Sequence, residues 1–241
     1  MADLLVDLTP RLVTDFVAAG GAIEDLRPPS GRLVVVAPHP DDEALAVGGL
    51  IAQHRSRDRD LLVVAVTDGE GAYDDWPGDD LATVRRREQL EALDRLGVGR
   101  HLVERLELPD CHVDQHELEL ESSLTEMLRP DDTVIAPAAF DWHPDHEACG
   151  RAAAAAAARH GCAVFGSLFW AHHHPDRAAG HCFGLAALEL TADDVVRRRA
   201  AVAAHDSQLA PGTGAEPVVG ARLRSHLDLP VEWYAIPRSP R

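Results

Sequence analysis

The chain contains no lysine and no asparagine; all 23 of its basic residues are arginine. Without lysine there is no Schiff-base nucleophile, no lysine-anchored pyridoxal cofactor and no phosphate-binding P-loop. Isoleucine is scarce too, and the three biases together read as the imprint of a GC-rich genome rather than a physical demand. The four cysteines, Cys111, Cys149, Cys162 and Cys182, form no C-x-x-C pair and no dense framework, so they read as reduced thiols of a cytoplasmic protein. No apolar run approaches the roughly 18 residues of a membrane span. The opening MADLLVDLTPRLVTDF carries acids where a secretory leader carries positive charge. A G-x-S-x-G elbow and a G-x-G-x-x-G turn are both missing, which disfavours a serine hydrolase and a dinucleotide-dependent dehydrogenase.

What remains is a balance of 46% hydrophobic and 26% charged residues in 241 positions, enough for a substantial core in one globular domain. The net charge of −17 repels phosphate backbones and anionic lipid, so neither nucleic acid nor a membrane surface is an expected partner. Three short β-branched runs, Arg32–Ala37, Leu61–Val66 and Thr133–Ala136, suit strands buried on both faces. Helical stretches fall near 43–56, 81–96 and 116–129, and an alanine-rich helix runs on to Gly161. Leu81, Val84, Leu90, Leu93 and Leu96 give the second helix a broadly apolar side that ends at Gly97. This alternation predicts a Rossmann-like α/β fold, a mostly parallel sheet sandwiched by helices. In the second half, Ala163–Trp170, Phe183–Leu190 and Val231–Ile236 read as strands, Asp193–Asp206 as a helix and 207–226 as a long loop. Residues 10–19 suit a short helix, and residues 1–31 form an extension ahead of a domain at 32–241; the extension could cover a face or join subunits into a homo-oligomer.

The chemistry gathers where strands end. The first strand runs into Pro38-His39-Pro40-Asp41-Asp42-Glu43, and the third leads to Asp141-Trp142-His143-Pro144-Asp145-His146-Glu147. Carboxyl ends of strands in such a sheet are where ligands bind. An imidazole and three carboxylates at one such end are costly unless something cationic shares the space. Asp41 or Asp42 could instead cap the helix that follows, and His143 and His146 could be polar loop residues or caps. Two His and one Asp drawn from both clusters would supply the three protein ligands of a catalytic Zn²⁺ site, which Fe²⁺ or another divalent metal could also fill.

His-Pro-Asp-Asp-Glu at 39–43, followed about a hundred residues later by His-Pro-Asp-His at 143–146, resembles the LmbE/PIG-L family of zinc-dependent N-deacetylases. Thr67-Asp68-Gly69-Glu70, Arg85-x-x-Glu88, Leu96-Gly97-Val98, Leu108-Pro109-Asp110 and His205-Asp-Ser-Gln208 agree with it, so the resemblance spans roughly residues 32 to 208. It implies that His39, Asp42 and His146 bind the metal and that Asp41 is the general base. It further implies that His143 stabilises the oxyanion, that Asp145 hydrogen-bonds His143 and holds it charged, and that Arg85 contacts substrate. The implied reaction removes an N-acetyl or related N-acyl group from an amino sugar of a small glycoconjugate or natural product. A non-sugar amide, or a metal-containing carbohydrate-binding module without turnover, would use the same motifs. Cys111 stands where the family often has glycine after Leu-Pro-Asp.

Other features read more plainly. His172-His173-His174 suggests a polar loop on the cleft rim before it suggests a second metal site. Tyr73, Trp76, Asp74, Asp75, Asp79 and Asp80 sit on a loop that would border the cleft. Glu117, Glu119 and Glu121 read as a solvated helix face, and Glu88 as a hydrogen-bonding partner of nearby backbone or of Arg85.

Overall fold

A computed structural model describes residues 10–76, 80–174, 184–212 and 214–236; Asp79, Cys182 and Phe183 lie outside them, as does the side chain of His173. The strands are β1 (Ile23–Asp25), β2 (Leu33–Ala37), β3 (Leu61–Ala65), β4 (Val103–Arg105), β5 (Thr133–Pro137), β6 (Ala163–Ser167), β7 (Leu185–Glu189) and β8 (Val231–Ala235). The helices are α1 (Arg11–Ala18), α2 (Asp42–Arg55), α3 (Leu81–Arg95), α4 (Glu117–Met127), α5 (Pro144–His160), α6 (Ala192–Val202), α7 (Asp206–Leu209) and α8 (Ala221–Arg224). The strands form one sheet in the order β1-β7-β8-β6-β5-β2-β3-β4, with only β8 antiparallel to its neighbours. This is the α/β fold with a mostly parallel sheet that the alternation of elements predicts.

Period-2 geometry divides the core. Leu33 and Val35 of β2 join Leu61 and Val63 of β3 beneath α2, α3 and α6, while Val34 and Val36 join Val64 and Val134 beneath α4 and α5. All five residues of β2 are buried, as a strand covered on both faces requires. The alanine run of α5 serves close approach: Ala152, Ala153, Ala156 and Ala157 are buried against the sheet, and a Cβ at Gly150 would stand 2.4 Å from the Pro137 carbonyl. Helix α3 ends in a Schellman turn, with Gly97 N–H on the Asp94 carbonyl, Val98 N–H on that of Leu93, and Gly97 at φ +82°.

Several elements differ from the sequence reading. The inward face of α3 is not broadly apolar: Arg85, Glu88 and Gln89 are buried there with Leu81, Ala92 and Leu93, whereas Val84 and Leu90 are half-buried. Those polar groups face loops at the crevice, where unpaired backbone needs partners; Glu88 accepts the N–H and hydroxyl of Ser207, not a bond from Arg85. The helix expected over 193–206 breaks at His205 into α6 and α7, and 207–226 carries α7, α8 and a 3₁₀ turn. The strand expected to reach Trp170 stops at Ser167, and Trp170–His173 is a 3₁₀ turn. Strands β1 and β4, three residues each, have no period long enough to read. Glu117 and Glu121 are not merely solvated, since they pair with Arg151 and Arg159 across α4 and α5. From the leading segment, β1 pairs with β7 at the sheet edge, and Leu12, Val13 and Phe16 of α1 pack on Leu168, Ala171 and Leu185.

A buried polar clamp fixes α2. Glu232 of β8 accepts the N–H groups of Gly49 (2.6 Å) and Leu50 (2.9 Å), receives the Tyr234 hydroxyl (2.8 Å) and lies 3.3 Å from Arg198. A Cβ at Gly49 would come within 2.5 Å of Leu190 and 2.8 Å of the Glu232 carboxylate. Gly49→Ala is expected to destabilise the fold by about 1–3 kcal/mol through overpacking, read as a lower urea midpoint at unchanged m-value.

Candidate metal centre and cleft

The winding of the sheet places the site. From β2 the chain moves to β3 and β4 on one side, then returns through α4 to β5 on the other side of β2. The carboxyl ends of β2 and β5, paired in parallel from Leu33↔Thr133 to Val35↔Ile135, therefore diverge into opposite crossovers and leave a crevice between them. Both chemical clusters open into it.

The structure brings the ligand atoms of His39, Asp42 and His146 within 4.8 Å of one another. Asp42 Oδ2 is 3.2 Å from His39 Nδ1 and 3.3 Å from His146 Nε2. His146 Nε2 is buried and faces the Asp42 carboxylate without a well-formed hydrogen bond, so a cation set between them can replace the ring's proton. The outer nitrogens are held by further carboxylates. His146 Nδ1 is 2.7 Å from Asp141 Oδ2, and His39 Nε2 is 3.2 Å from both Asp110 Oδ1 and Asp145 Oδ2. Carboxylates on the remote ring nitrogens fix the tautomers that present Nδ1 of His39 and Nε2 of His146 inward, the arrangement of metal-ligating histidines. Two imidazoles and a carboxylate converging in this way fit a divalent metal.

Asp110 and Asp141 in these orienting positions are what the sequence reading missed. Asp141 stands two residues ahead of His143, a carboxylate adjoining the second cluster, whereas Asp110 lies in the Leu-Pro-Asp motif, distant in the chain from both clusters. Asp141 also accepts the N–H groups of Phe169 (3.1 Å) and Ala171 (2.9 Å), tying the β6 loop to His146. The capping alternative does not hold: neither Asp41 at the N-cap of α2 nor His143 at that of α5 makes a side-chain capping bond.

One expected contact differs. Asp145 bonds His39 and the N–H groups of Cys111 (2.8 Å) and Val113 (3.0 Å), and no bond from it to His143 is among those of the described residues. Burial, and the positive His39 and His146, push His143 down to about 4, so it is neutral near pH 7 rather than charged. Arg85 is buried in the cleft wall and donates to the carbonyls of Gly69 (2.8 Å) and Pro40 (3.0 Å), with Asp41 Oδ2 at 3.3 Å. Asp41 adopts φ +149°, a conformation that L residues rarely take and that functional sites hold under strain. Burial pushes Asp41 up to about 7, against the pull of Arg85.

The cleft measures about 250 Å³ and is lined by His39, Asp41, Asp42, Arg85, Asp110 and His143 together with Leu45, Phe169, Trp170, Val218 and Val219. Cys111 stands at its lip with φ +64°, the conformation a glycine would take without strain. Tyr73 stacks on Trp76 and donates its hydroxyl to the Ser207 carbonyl; Asp80 caps α3, while Asp74 and Asp75 are exposed. The His172 ring lies 5.2 Å from that of His226, and His174 is exposed. His205 is buried with neither ring nitrogen bonded, and burial pushes it down to about 3. Cys111, Cys149 and Cys162 are unpaired.

Three raised groups set a pH dependence for the metal-stripped protein. Burial lowers the proton affinity of His146, but Asp42 and Asp141 outweigh it and hold the ring up at about 9; burial raises Glu43 to about 8 and Asp41 to about 7. Between pH 7 and 9 the unfolded chain has already shed these protons while the folded one still releases them, so folding stability falls as pH rises. Each tenfold difference in proton affinity is worth about 1.4 kcal/mol, so Tm should drop measurably between pH 7 and 9 in a thermal scan without metal. An unchanged or rising Tm would contradict this charge arrangement.

Comparison with known proteins follows the same residues. Positions 34–157 match the family described as PIG-L, GlcNAc-PI de-N-acetylase. The probable N-acetyl-alpha-D-glucosaminyl L-malate deacetylase 2 of Bacillus subtilis is 29% identical over 130 residues, covering 50% of this chain and 58% of that protein. The 1D-myo-inositol 2-acetamido-2-deoxy-alpha-D-glucopyranoside deacetylase of Rhodococcus opacus is 38% identical over 78 residues, 29% of this chain and 27% of that protein. The matched stretches thus span less than two thirds of either curated relative. Among solved structures, the N,N'-diacetylchitobiose deacetylase of Pyrococcus horikoshii superposes with a TM-score of 0.62 at 22% identity, covering 98% of this chain and 93% of that one, a likeness of fold. With the family match extending over half of its length and including both His-Pro-Asp motifs, the chain belongs to the PIG-L family.

Proposed function

We propose that the protein is a metal-dependent N-deacetylase that hydrolyses the N-acetyl or related N-acyl group of an amino sugar in a small glycoconjugate or natural product. The observation that carries this reading is the convergence of His39, Asp42 and His146 at one point of a cleft that also exposes Asp41 and His143. Both curated relatives bear the names of deacetylases of N-acetylglucosamine derivatives, which supports it. His39, Asp42 and His146 would hold the metal, zinc by preference of the donor set, with Fe²⁺ or another divalent ion able to take the same ligands. Such an ion, when bound, lowers the pKa of water and polarises a carbonyl.

The chain's own groups supply the remaining chemistry. Asp41, with a carboxyl raised to about 7, can take a proton at Oδ from the attacking water near neutral pH and hand it to the departing amine nitrogen. Arg85 holds that carboxylate in place and, from the same stretch of wall, is our candidate for a substrate contact. His143, neutral, donates an N–H to the carbonyl oxygen as negative charge develops there. Its ring lies over that of Trp170, with the centroids 6.2 Å apart. Asp145 acts one step back, by orienting His39. The unpaired thiols support a cytoplasmic setting, and the edge strand β1 offers a surface through which copies could associate.

The test pairs elemental analysis with amine release from a panel of N-acetylglucosamine derivatives, on wild type and Asp41→Asn. About one metal per chain, with turnover lost by two or more orders of magnitude in Asp41→Asn at unchanged metal content, is the expected result. Bound metal without turnover on any amino sugar would move the reading to a non-sugar amide or a carbohydrate-binding role; no metal after reconstitution would end it. The orienting carboxylates give a separate readout. Asp141→Asn and Asp110→Asn should each weaken metal binding about 10–100-fold in a chelator competition.

A further inference from the structure

The loop after β3 carries an aromatic pair that takes no part in the chemistry above. The rings of Tyr73 and Trp76 stack with centroids 5.6 Å apart and planes 23° apart, and both residues stay half-buried. The pair is fixed to the mouth of the cleft. Gly71 and Ala72, just ahead of Tyr73, line the cleft, and the Tyr73 hydroxyl accepts the N–H of Val218, a second lining residue, at 3.4 Å. The same hydroxyl donates to the Ser207 carbonyl at 3.0 Å, and Ser207 is held in turn by Glu88 of α3. Burial raises the proton affinity of Tyr73, and the charges of Arg85 and Asp41 reach it as well. A ring pinned in this way needs no further ordering when a ligand lies on it. Asp74 and Asp75, between the two aromatic residues, are exposed, and positions 70–76 hold three acids and no base. The lip therefore offers an apolar face edged by hydrogen-bond acceptors of negative charge.

Size decides what reaches this lip. The cleft, at about 250 Å³, lies below the roughly 300 Å³ at which pockets for drug-sized ligands begin, so an amino-sugar ring with its acetyl group fills it. The acetyl end of such a substrate stops one methyl past the carbonyl. The nitrogen end carries the sugar and whatever is joined to it, and it alone is long enough to pass out over the lip, whichever way the methyl points inside. We infer that Tyr73 and Trp76 form a second sugar subsite, which takes an uncharged pyranose ring linked to the acylated amino sugar. A pyranose presents a face of C–H groups to an aromatic ring and an edge of hydroxyl donors to carboxylates, the two demands this lip makes together. A hydrocarbon aglycone would use the rings and leave Asp74 and Asp75 without a partner. An anionic aglycone would meet carboxylates with no base among them, and like charges repel. The inference rests on the amide-hydrolase reading above and names the class of substrate for it; no bond forms or breaks at the lip.

The experiment measures amine release by the metal-loaded protein from the methyl glycoside of N-acetylglucosamine, from N-acetylglucosaminyl-β-1,4-glucose and from N-acetyllactosamine. The two disaccharides attach a neutral ring at opposite ends of the acylated sugar. Contact of one ring face with an aromatic pair is worth about tenfold, so kcat/KM for the better disaccharide should exceed that of the methyl glycoside by about this factor. The ratio should fall toward one in Trp76→Ala and be largely kept in Trp76→Phe, which retains an aromatic face. N-acetylglucosaminyl malate should gain nothing over the methyl glycoside, and should improve in the Asp74→Asn, Asp75→Asn double variant. Equal rates on one ring and two, or a disaccharide gain that survives Trp76→Ala, would overturn the subsite and leave the deacetylase reading standing. An octyl or malate glycoside cleaved as well as the better disaccharide would overturn the choice of a neutral sugar. If no amide is cleaved, the hydrolase reading fails and binding still decides the subsite: cellobiose, but not glucose, should change the tryptophan emission of the wild type and leave that of Trp76→Ala unaltered. No change in the wild type would overturn it.

Discussion

The pairing of β2 with β5 is the constraint on which the site depends. These strands are distant in the chain yet lie side by side in parallel register, and the connections that follow them turn to opposite sides. The divergence leaves backbone uncovered at their carboxyl ends, and the segments after each strand close over it with His39–Glu43 and His143–Glu147. His39 and Asp145, 106 positions apart, meet at 3.2 Å only because those two ends are neighbours. A slip of one residue in this register would turn every side chain of β2 to the other face and take the two clusters out of step.

Electrostatics explains why so many carboxylates crowd one crevice. Helices α2 and α5 both begin there, and their N-termini carry partial positive charge that opposes a cation. Asp42 in the first turn of one, and Asp145 and Glu147 in that of the other, reverse the sign. The buried carboxylates are then stabilised by the N–H groups of Cys111, Val113, Phe169 and Ala171, which turn two loops into supports for the imidazoles. Asp41 and Glu43 lie outside this satisfied set and burial raises both, to about 7 and about 8; of the two it is Asp41, on a strained backbone with Arg85 beside it, that lines the cleft. A carboxylate fully engaged with backbone donors is a poor proton acceptor, which is why the proposed proton transfer falls to Asp41, the cleft carboxylate that the loops do not hold.

Much of this was legible in the sequence, because its signals are local. Continuous β-branched runs marked β2, β3 and β5, Gly97 and Gly161 marked helix ends, and the two His-Pro-Asp motifs marked the crevice. What was not legible depends on partners distant in the chain. The inward face of α3 reads as apolar from Leu81, Leu90 and Leu93, yet Arg85, Glu88 and Gln89 are buried there because the loops beyond β2 and β3 and the Ser207 turn need their hydrogen bonds. Asp110 could not be assigned to His39, because nothing local says that the turn after Leu-Pro-Asp folds back to β2. Three-residue strands such as β1 and β4 owe their existence to the edges they pair with, and their own sequence is silent.

Small residues connect the fold to the spacing of the proposed ligands. Asp42 stands at the start of α2 and His146 in the first turn of α5, so the distance between them is set by how closely each helix lies on the sheet. Gly150 lets α5 approach until a Cβ would touch the Pro137 carbonyl at the end of β5, and the alanines behind it continue the same contact. On the other face, Gly48 and Gly49 let α2 approach Arg198 and Glu232, whose carboxylate takes two N–H groups from the middle of that helix. Larger side chains at these places would lift the helices by an amount comparable to the tolerance of a metal–ligand bond. The glycines lie far from the chemistry along the chain, but they fix the depth at which it occurs. The geometry of the proposed metal site is therefore a property of helix-to-sheet packing as much as of the two motifs themselves.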